Sequence, residues 1–252
     1  MSADGQKVAI ITGAGRNVGY ATAAALLEVG FNVVVAENDE ARGQQAADRL
    51  NEANTGDGFA IYLPCDVSSE TSVAALVDET VARFGSVTVL VNNVAITDRG
   101  ATVLTLESDV WDSVLAVTLT SVFNCTKHAA KAMVAGGKGG VVVNVGSTSA
   151  HVGRKNALAY GVAKAGVLSL TRSSAVQLGE HGIRVVAVSP NKVGSPVGED
   201  EEPTDRKRTN VLGRGAVPED IATAIRFIVS DEAGFITGTE LFVDGGASIT
   251  SG

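Results

Sequence analysis

Short apolar runs rich in valine and isoleucine alternate along this chain with longer segments of helical period, and few folds accommodate that alternation. Strands buried on both faces read as continuous apolar runs, and successive parallel strands need a crossover long enough to hold a helix. Seven runs fit: Lys7 to Thr12, Asn32 to Ala36, Gly58 to Leu63, Thr88 to Val91, Val141 to Val145, Arg184 to Val188 and Glu240 to Val243. Between them, Val73, Leu76, Val77, Val81 and Phe84 fall on one helical face, with Gly85 placed to cap the helix end. Ala21 to Val29, Ser108 to Ala135 and Ala159 to Glu180 read as further helices. The expected fold class is α/β, a doubly wound seven-stranded parallel sheet flanked by helices. With 252 residues, 45% of them hydrophobic, one domain spanning 1–252 has ample core material. The compositional break is Asn191 to Ala216, which follows Pro190, holds Pro196, Pro203 and the charge run Glu199 to Arg208, and reads as a substrate loop at about 191–216.

Twenty Lys plus Arg against 28 Asp plus Glu give a formal charge of -8, opposite to the footprint of a nucleic-acid or anionic-lipid binder. No uncharged apolar run reaches the roughly 18 residues of a membrane span. Met1 to Gly5 lacks a signal peptide's basic start, and Cys65 and Cys125 have neither metal-ligand nor redox spacing. His128, His151 and His181 are not spaced as ligands either. The expectation is a cytoplasmic protein with no metal.

The first strand runs into Thr12-Gly13-Ala14-Gly15-Arg16-Asn17-Val18-Gly19, and a helix follows. Glycines there let the backbone turn sharply and approach a pyrophosphate, for which the free amides of a helix start supply donors. Gly13, Arg16, Asn17, Val18 and Gly19 are therefore candidate cofactor contacts. Eighteen residues beyond Gly19 the second strand ends in Glu37, where an acid can accept hydrogen bonds from adenosine ribose hydroxyls. Arg16 could instead hold a 2'-phosphate, which Glu37 would repel. NAD is the expected cofactor and NADP the alternative.

Tyr160-Gly161-Val162-Ala163-Lys164, with Ser147 thirteen residues upstream of the tyrosine, resembles the short-chain dehydrogenase/reductase family, in particular its 3-oxoacyl-ACP reductase-like members. The likeness runs from Lys7 to Gly246 and includes Asp66-Val67, Asn92-Asn93, Asn144 to Ser147, Pro218 to Ala222 and Val243 to Gly246. It implies a single Rossmann-type domain, NAD(P)-dependent interconversion of ketones and secondary alcohols, a small-molecule carbonyl or alcohol substrate, and a homotetramer or dimer. By the same likeness, Asp66 contacts the adenine amino group and Val67 covers the ring. Asn92 lies under the cofactor, and Val193, near Pro190, bonds the carboxamide.

Hydride transfer leaves an alkoxide to be protonated, and a phenol is a suitable carrier if its pKa of about 10 is lowered. Lys164, one helical turn beyond Tyr160, is expected to lower it, and Ser147 to hold the substrate oxygen. Four positions depart from the family pattern: Asn17 for a glycine, Val94-Ala95 for Ala-Gly, Asn191 for a glycine, and Thr118 for a proton-relay asparagine. Asn17 and Asn191 are expected to keep left-handed turns, and Val94 and Ala95 to narrow the crevice. Thr118 is expected to bond back within its own helix and hold relay water poorly. These departures keep open a dinucleotide-binding protein with little or no catalysis, serving as a sensor or interaction module.

Overall fold

The computed structural model describes residues 6–98, 100–194, 197 and 210–250. Seven strands, β1 (Val8–Thr12), β2 (Asn32–Glu37), β3 (Ala60–Pro64), β4 (Val89–Asn92), β5 (Gly140–Val145), β6 (Ile183–Pro190) and β7 (Glu240–Val243), form one sheet in the order β3-β2-β1-β4-β5-β6-β7. Every neighbouring pair is parallel. Each strand begins and ends within two residues of the run read from the sequence. The strands are apolar throughout because both faces are covered. Ala9, Ile11, Val33 and Val143 pack under α1 (Asn17–Glu28), α2 (Glu40–Ala53) and α7 (Pro218–Val229), through Leu26, Leu50 and Ile225. Their alternates Ile10, Val34 and Val142 face α3 (Glu70–Phe84) and α5 (Ser121–Gly136), through Leu76 and Met133.

The helix α2 escaped the sequence reading because its buried stripe is Gly43, Ala46, Ala47 and Leu50, too small to give a strong apolar period. Gly43 is required there: a Cβ would lie 2.3 Å from the Tyr62 ring, so α2 could not settle on β3. The segment expected as one helix from Ser108 to Ala135 is interrupted. After α4 (Ser108–Leu115) comes one π-helical turn, Ala116–Thr120, in which Ser121 N donates to Ala116 O, before α5 begins. α6 (Leu158–Leu178) carries Tyr160 and Lys164. Of the loop expected at 191–216, residues 195–196 and 198–209 lie outside the described residues, and with them the charge run Glu199 to Arg208. Met1 to Gly5 lies outside them too. Among the described residues no helix is long and apolar enough to cross a membrane.

A buried polar ladder ties the layers together below the sheet's carboxyl end. Asn92 Nδ2 donates to Asn144 Oδ1 (2.8 Å) and to Thr126 Oγ1 (3.2 Å), and Asn144 Nδ2 donates to Thr171 Oγ1 (2.9 Å). One carboxamide thus joins β4, β5 and α6. Replacing Asn144 by alanine takes an acceptor from the buried Asn92 amide and a donor from the buried Thr171 oxygen, and an unsatisfied buried group costs about 1–3 kcal/mol. Urea unfolding of Asn144→Ala should show a lowered midpoint at unchanged slope.

Candidate active site

The strand order reverses between β1 and β4, so the loops after these two strands leave in opposite directions and open a crevice at the carboxyl end of the sheet. It is a cleft of about 610 Å³. At one end stands the loop joining β1 to α1. Gly13 has φ +63°, and a Cβ on it would lie 2.9 Å from Val94 Cγ2. Gly19 does not line the cleft: a Cβ there would lie 2.2 Å from Gly13 O, so the glycine lets α1 start directly against the loop. Asn17 takes the left-handed conformation (φ 50°), as expected of a glycine substitute, and lines the cleft with Arg16 and Val18.

Glu37 closes the same end. Buried at the tip of β2, its carboxylate accepts from Gly15 N (3.3 Å), Asn38 N (3.1 Å) and Arg42 Nη2 (3.1 Å). Arg42, which also lines the cleft, was not found from the sequence, since its pairing with Glu37 depends on where α2 begins. Asp66 is exposed in the cleft and accepts from Ser68; Val67 beside it is buried.

The floor is the segment after β4, strapped to three different elements. Asn93 N donates to Thr12 Oγ1 (3.0 Å), and its Nδ2 to Thr12 O (3.0 Å) and Gly13 O (3.3 Å). Asn93, Val94 and Ala95 line the cleft, whereas Asn92 does not: its carboxamide points into the interior ladder. Ile96 N donates to Thr118 Oγ1 (3.1 Å), and that hydroxyl donates to Ile96 O (3.0 Å). Thr118 therefore does not bond back within its helix. Wholly buried in the π-turn, it clasps the backbone of the floor and lies off the cleft. Asp98, also buried, accepts from Ala159 N (2.9 Å) and Tyr160 N (3.2 Å). It caps α6, whose own N-cap residue, Ala157, is left-handed (φ 68°) and has no side chain for the task.

The end of β5 and α6 bring Ser147, Tyr160 and Lys164 together at the other end of the cleft. Ser147 Oγ accepts from Ser149 N (3.1 Å), which leaves its hydrogen for the Tyr160 oxygen. Burial pushes the Tyr160 phenol above its ordinary value, and the Ser147 hydrogen bond and the Arg154 cation pull it back. Lys164 Nζ donates to Val145 O (2.6 Å) and lies 5.8 Å from the Tyr160 ring centre. Burial lowers its pKa to about 8. The Arg154 guanidinium is a second cation near the phenol and favours its ionised form.

Pro190 and Val193 line the β6 side. The left-handed residue after Pro190 is Lys192 (φ 46°), not Asn191, whose side chain accepts from Thr148 Oγ1 (3.3 Å). His151 faces Glu240 (2.8 Å) and lies off the cleft.

A family profile described as enoyl-(acyl carrier protein) reductase matches residues 13–248. The chain is 42% identical over 246 residues to cis-4-hydroxycyclohexanecarboxylate dehydrogenase of Sinomonas cyclohexanicum, covering 96% of each protein. To the trans-4-hydroxycyclohexanecarboxylate dehydrogenase of that organism it is 40% identical, covering 96% of this chain and 92% of that one. Among solved structures it is similar to acetoin dehydrogenase YohF from Salmonella typhimurium, with a TM-score of 0.87 and 29% identity over 98% of this chain and 97% of that one.

Asp98→Ala should leave two N–H groups at the start of α6 without their acceptor and loosen the turn that carries Tyr160. Loss of a helix cap costs about 0.5–2 kcal/mol. Thermal unfolding should register that loss, and amide exchange should quicken at Ala159 and Tyr160 ahead of the rest of α6.

Proposed function

The chain belongs to the short-chain dehydrogenase/reductase family and is an NAD(P)-dependent oxidoreductase acting on CH–OH groups; from that premise we propose that it interconverts a small ketone and its secondary alcohol with NAD(H), Tyr160 carrying the proton. The observation that carries this reading is the meeting of Ser147, Tyr160 and Lys164 at one end of a cleft whose other end is a glycine cradle and a buried acid.

The residues present suit a dinucleotide. Gly13, at φ +63°, turns the chain tightly at the head of the cleft, and the amides at the start of α1 would donate to a pyrophosphate there. Gly13, Arg16, Asn17 and Val18 would hold that group. Glu37 would accept from the ribose hydroxyls, Asp66 from the adenine amino group, and Val67 and Val94 would cover apolar faces. Pro190 and Val193 would border the nicotinamide, which supplies or takes up the hydride when bound. Ser147 would donate to the substrate oxygen while Tyr160 gives it a proton or removes one. Lys164, with a pKa near neutrality, is suited to resupply that proton and to reach the ribose. Thr118 is a clasp on the floor whose hydroxyl is already committed in both directions, which leaves no donor there for a water chain.

The remaining features of this reading are a homodimer or homotetramer in a reducing cytoplasm. Phe123 and Val134, exposed on α5, line one surface groove with Leu170 of α6, an apolar patch that favours self-association. The two cysteines are free and buried, as suits a reducing compartment. The net charge of -8 speaks against nucleic-acid or anionic-membrane partners.

The test of the function is absorbance of reduced nicotinamide during turnover of a panel of neutral ketones and 4-oxocyclohexanecarboxylate, the latter chosen from the relatives' names. Tyr160→Phe removes a proton carrier and little volume. It should keep cofactor binding and lose roughly 100-fold to 10,000-fold in turnover. Turnover close to wild type would overturn the assignment of Tyr160.

Cofactor choice follows from Glu37, whose carboxylate would repel a 2'-phosphate at the same place. Fluorescence titration should give about tenfold or greater preference for NADH over NADPH, a difference of about 1.4 kcal/mol or more. Glu37→Ser should shrink that preference, by freeing Arg42 to meet a phosphate. Tighter binding of NADPH by the wild-type protein would refute the assignment.

A further inference from the structure

One cation beside the proton-carrying groups has no charge partner. The chain holds 28 acids against 20 basic residues, and its other arginines are largely committed. Arg42 meets Glu37, Arg83 meets Glu79, Arg214 meets Asp220 and Arg226 meets Glu28. Arg184 donates to three backbone carbonyls. Arg154, in the segment between β5 and α6, donates one Nη2 hydrogen to Ser149 Oγ (2.5 Å), a neutral acceptor. Among the described residues no carboxylate pairs with it.

Its position is fixed relative to the reacting groups. Ser149 is buried, and its amide donates to Ser147 Oγ, which in turn bonds the Tyr160 phenol. Three hydrogen bonds therefore connect the guanidinium to the phenol, and the charge is close enough to lower the phenol's pKa. A guanidinium has five N–H donors, and its fork geometry matches a carboxylate's two oxygens. Arg154 is exposed beside the cleft and does not line it; with one donor committed to Ser149, the rest of the fork remains for a ligand that extends past Ser147 along the β5–α6 segment.

We propose that Arg154 is the anion-recognising group of the substrate site, and that the preferred substrate is a ketone or secondary alcohol bearing a carboxylate. This rests on the oxidoreductase reading of the cleft. The carbonyl or hydroxyl group would sit at Ser147 and Tyr160, and the carboxylate would accept from Arg154 on the β5–α6 side. A neutral analogue would leave the guanidinium without a counter-charge and gain nothing from it. Nothing local singles out Arg154 in the sequence, where it stands beside Lys155.

The probes are 4-oxocyclohexanecarboxylate, its methyl ester and cyclohexanone, assayed with NADH on wild type, Arg154→Met and Arg154→Lys. In the wild type kcat/KM for the acid should exceed that for the ester about tenfold or more, and Arg154→Met should abolish the excess: both values fall with the loss of the charge beside the phenol, and the acid's falls about tenfold further than the ester's. Arg154→Lys should restore part of it. Equal kcat/KM for acid and ester in the wild type would overturn the proposal. So would an equal loss on both in Arg154→Met, which would mean that the guanidinium serves only the phenol. Calorimetric titration of cyclohexanecarboxylate provides a reading that needs no turnover: affinity should fall about tenfold in Arg154→Met, and unchanged affinity overturns the proposal. If no ketone is turned over by the wild type, the parent reading fails while the calorimetry still decides this one.

Discussion

The constraint on which the rest of this molecule depends is the reversal of strand order between β1 and β4. A parallel sheet covered on both faces offers a ligand no access except at its edges and ends. Only where neighbouring strands send their connections to opposite faces does a gap open between the loops. The glycine loop after β1 and the floor segment after β4 border that gap, and every site residue reaches it from a strand end or from a helix laid against one. The chemistry therefore sits where the topology leaves room.

That room would be of little use if its walls moved independently. Between Asn93 and Asp98 the chain has no regular structure, yet it is bonded in succession to the phosphate-loop strand, to the π-turn and to the start of α6. The glycine-loop end and the tyrosine end are thus held in one frame by a few small polar groups. Asp98 and Thr118 lie behind the lining of the cleft. Their part is to keep the two ends of the cleft at a fixed separation.

Much of this was legible from local patterns. Apolar runs gave the strands to within two residues, and the glycine loop, Glu37 and the Ser147, Tyr160 and Lys164 set all converge on one cleft. What escaped depends on contacts distant in sequence or on a single backbone angle. Asp98 caps a helix 61 residues away, which no window of sequence reveals. Of the paired asparagines, Asn92, the one expected under the cofactor, ends β4 facing inward, and it is Asn93 that turns to the cleft. After Pro190 the left-handed turn falls on Lys192, although asparagine tolerates that conformation better than lysine. The π-turn leaves no compositional trace, so α4 and α5 read as one helix.

That π-turn has a consequence for how the molecule can change. Each residue of an α-helix advances about 100° around the axis, so the extra residue in Ala116–Thr120 acts as a phase shifter between the two helices it joins. The part before it is set by packing near Tyr160, and the part after it by packing on the sheet. Thr118 can face the floor because neither neighbour dictates its azimuth. Removing one residue here would regularise the helix and improve its local hydrogen bonding, and it would also rotate one half of the wall against the other. The irregular turn separates two packing problems that a straight helix would have to solve with a single phase.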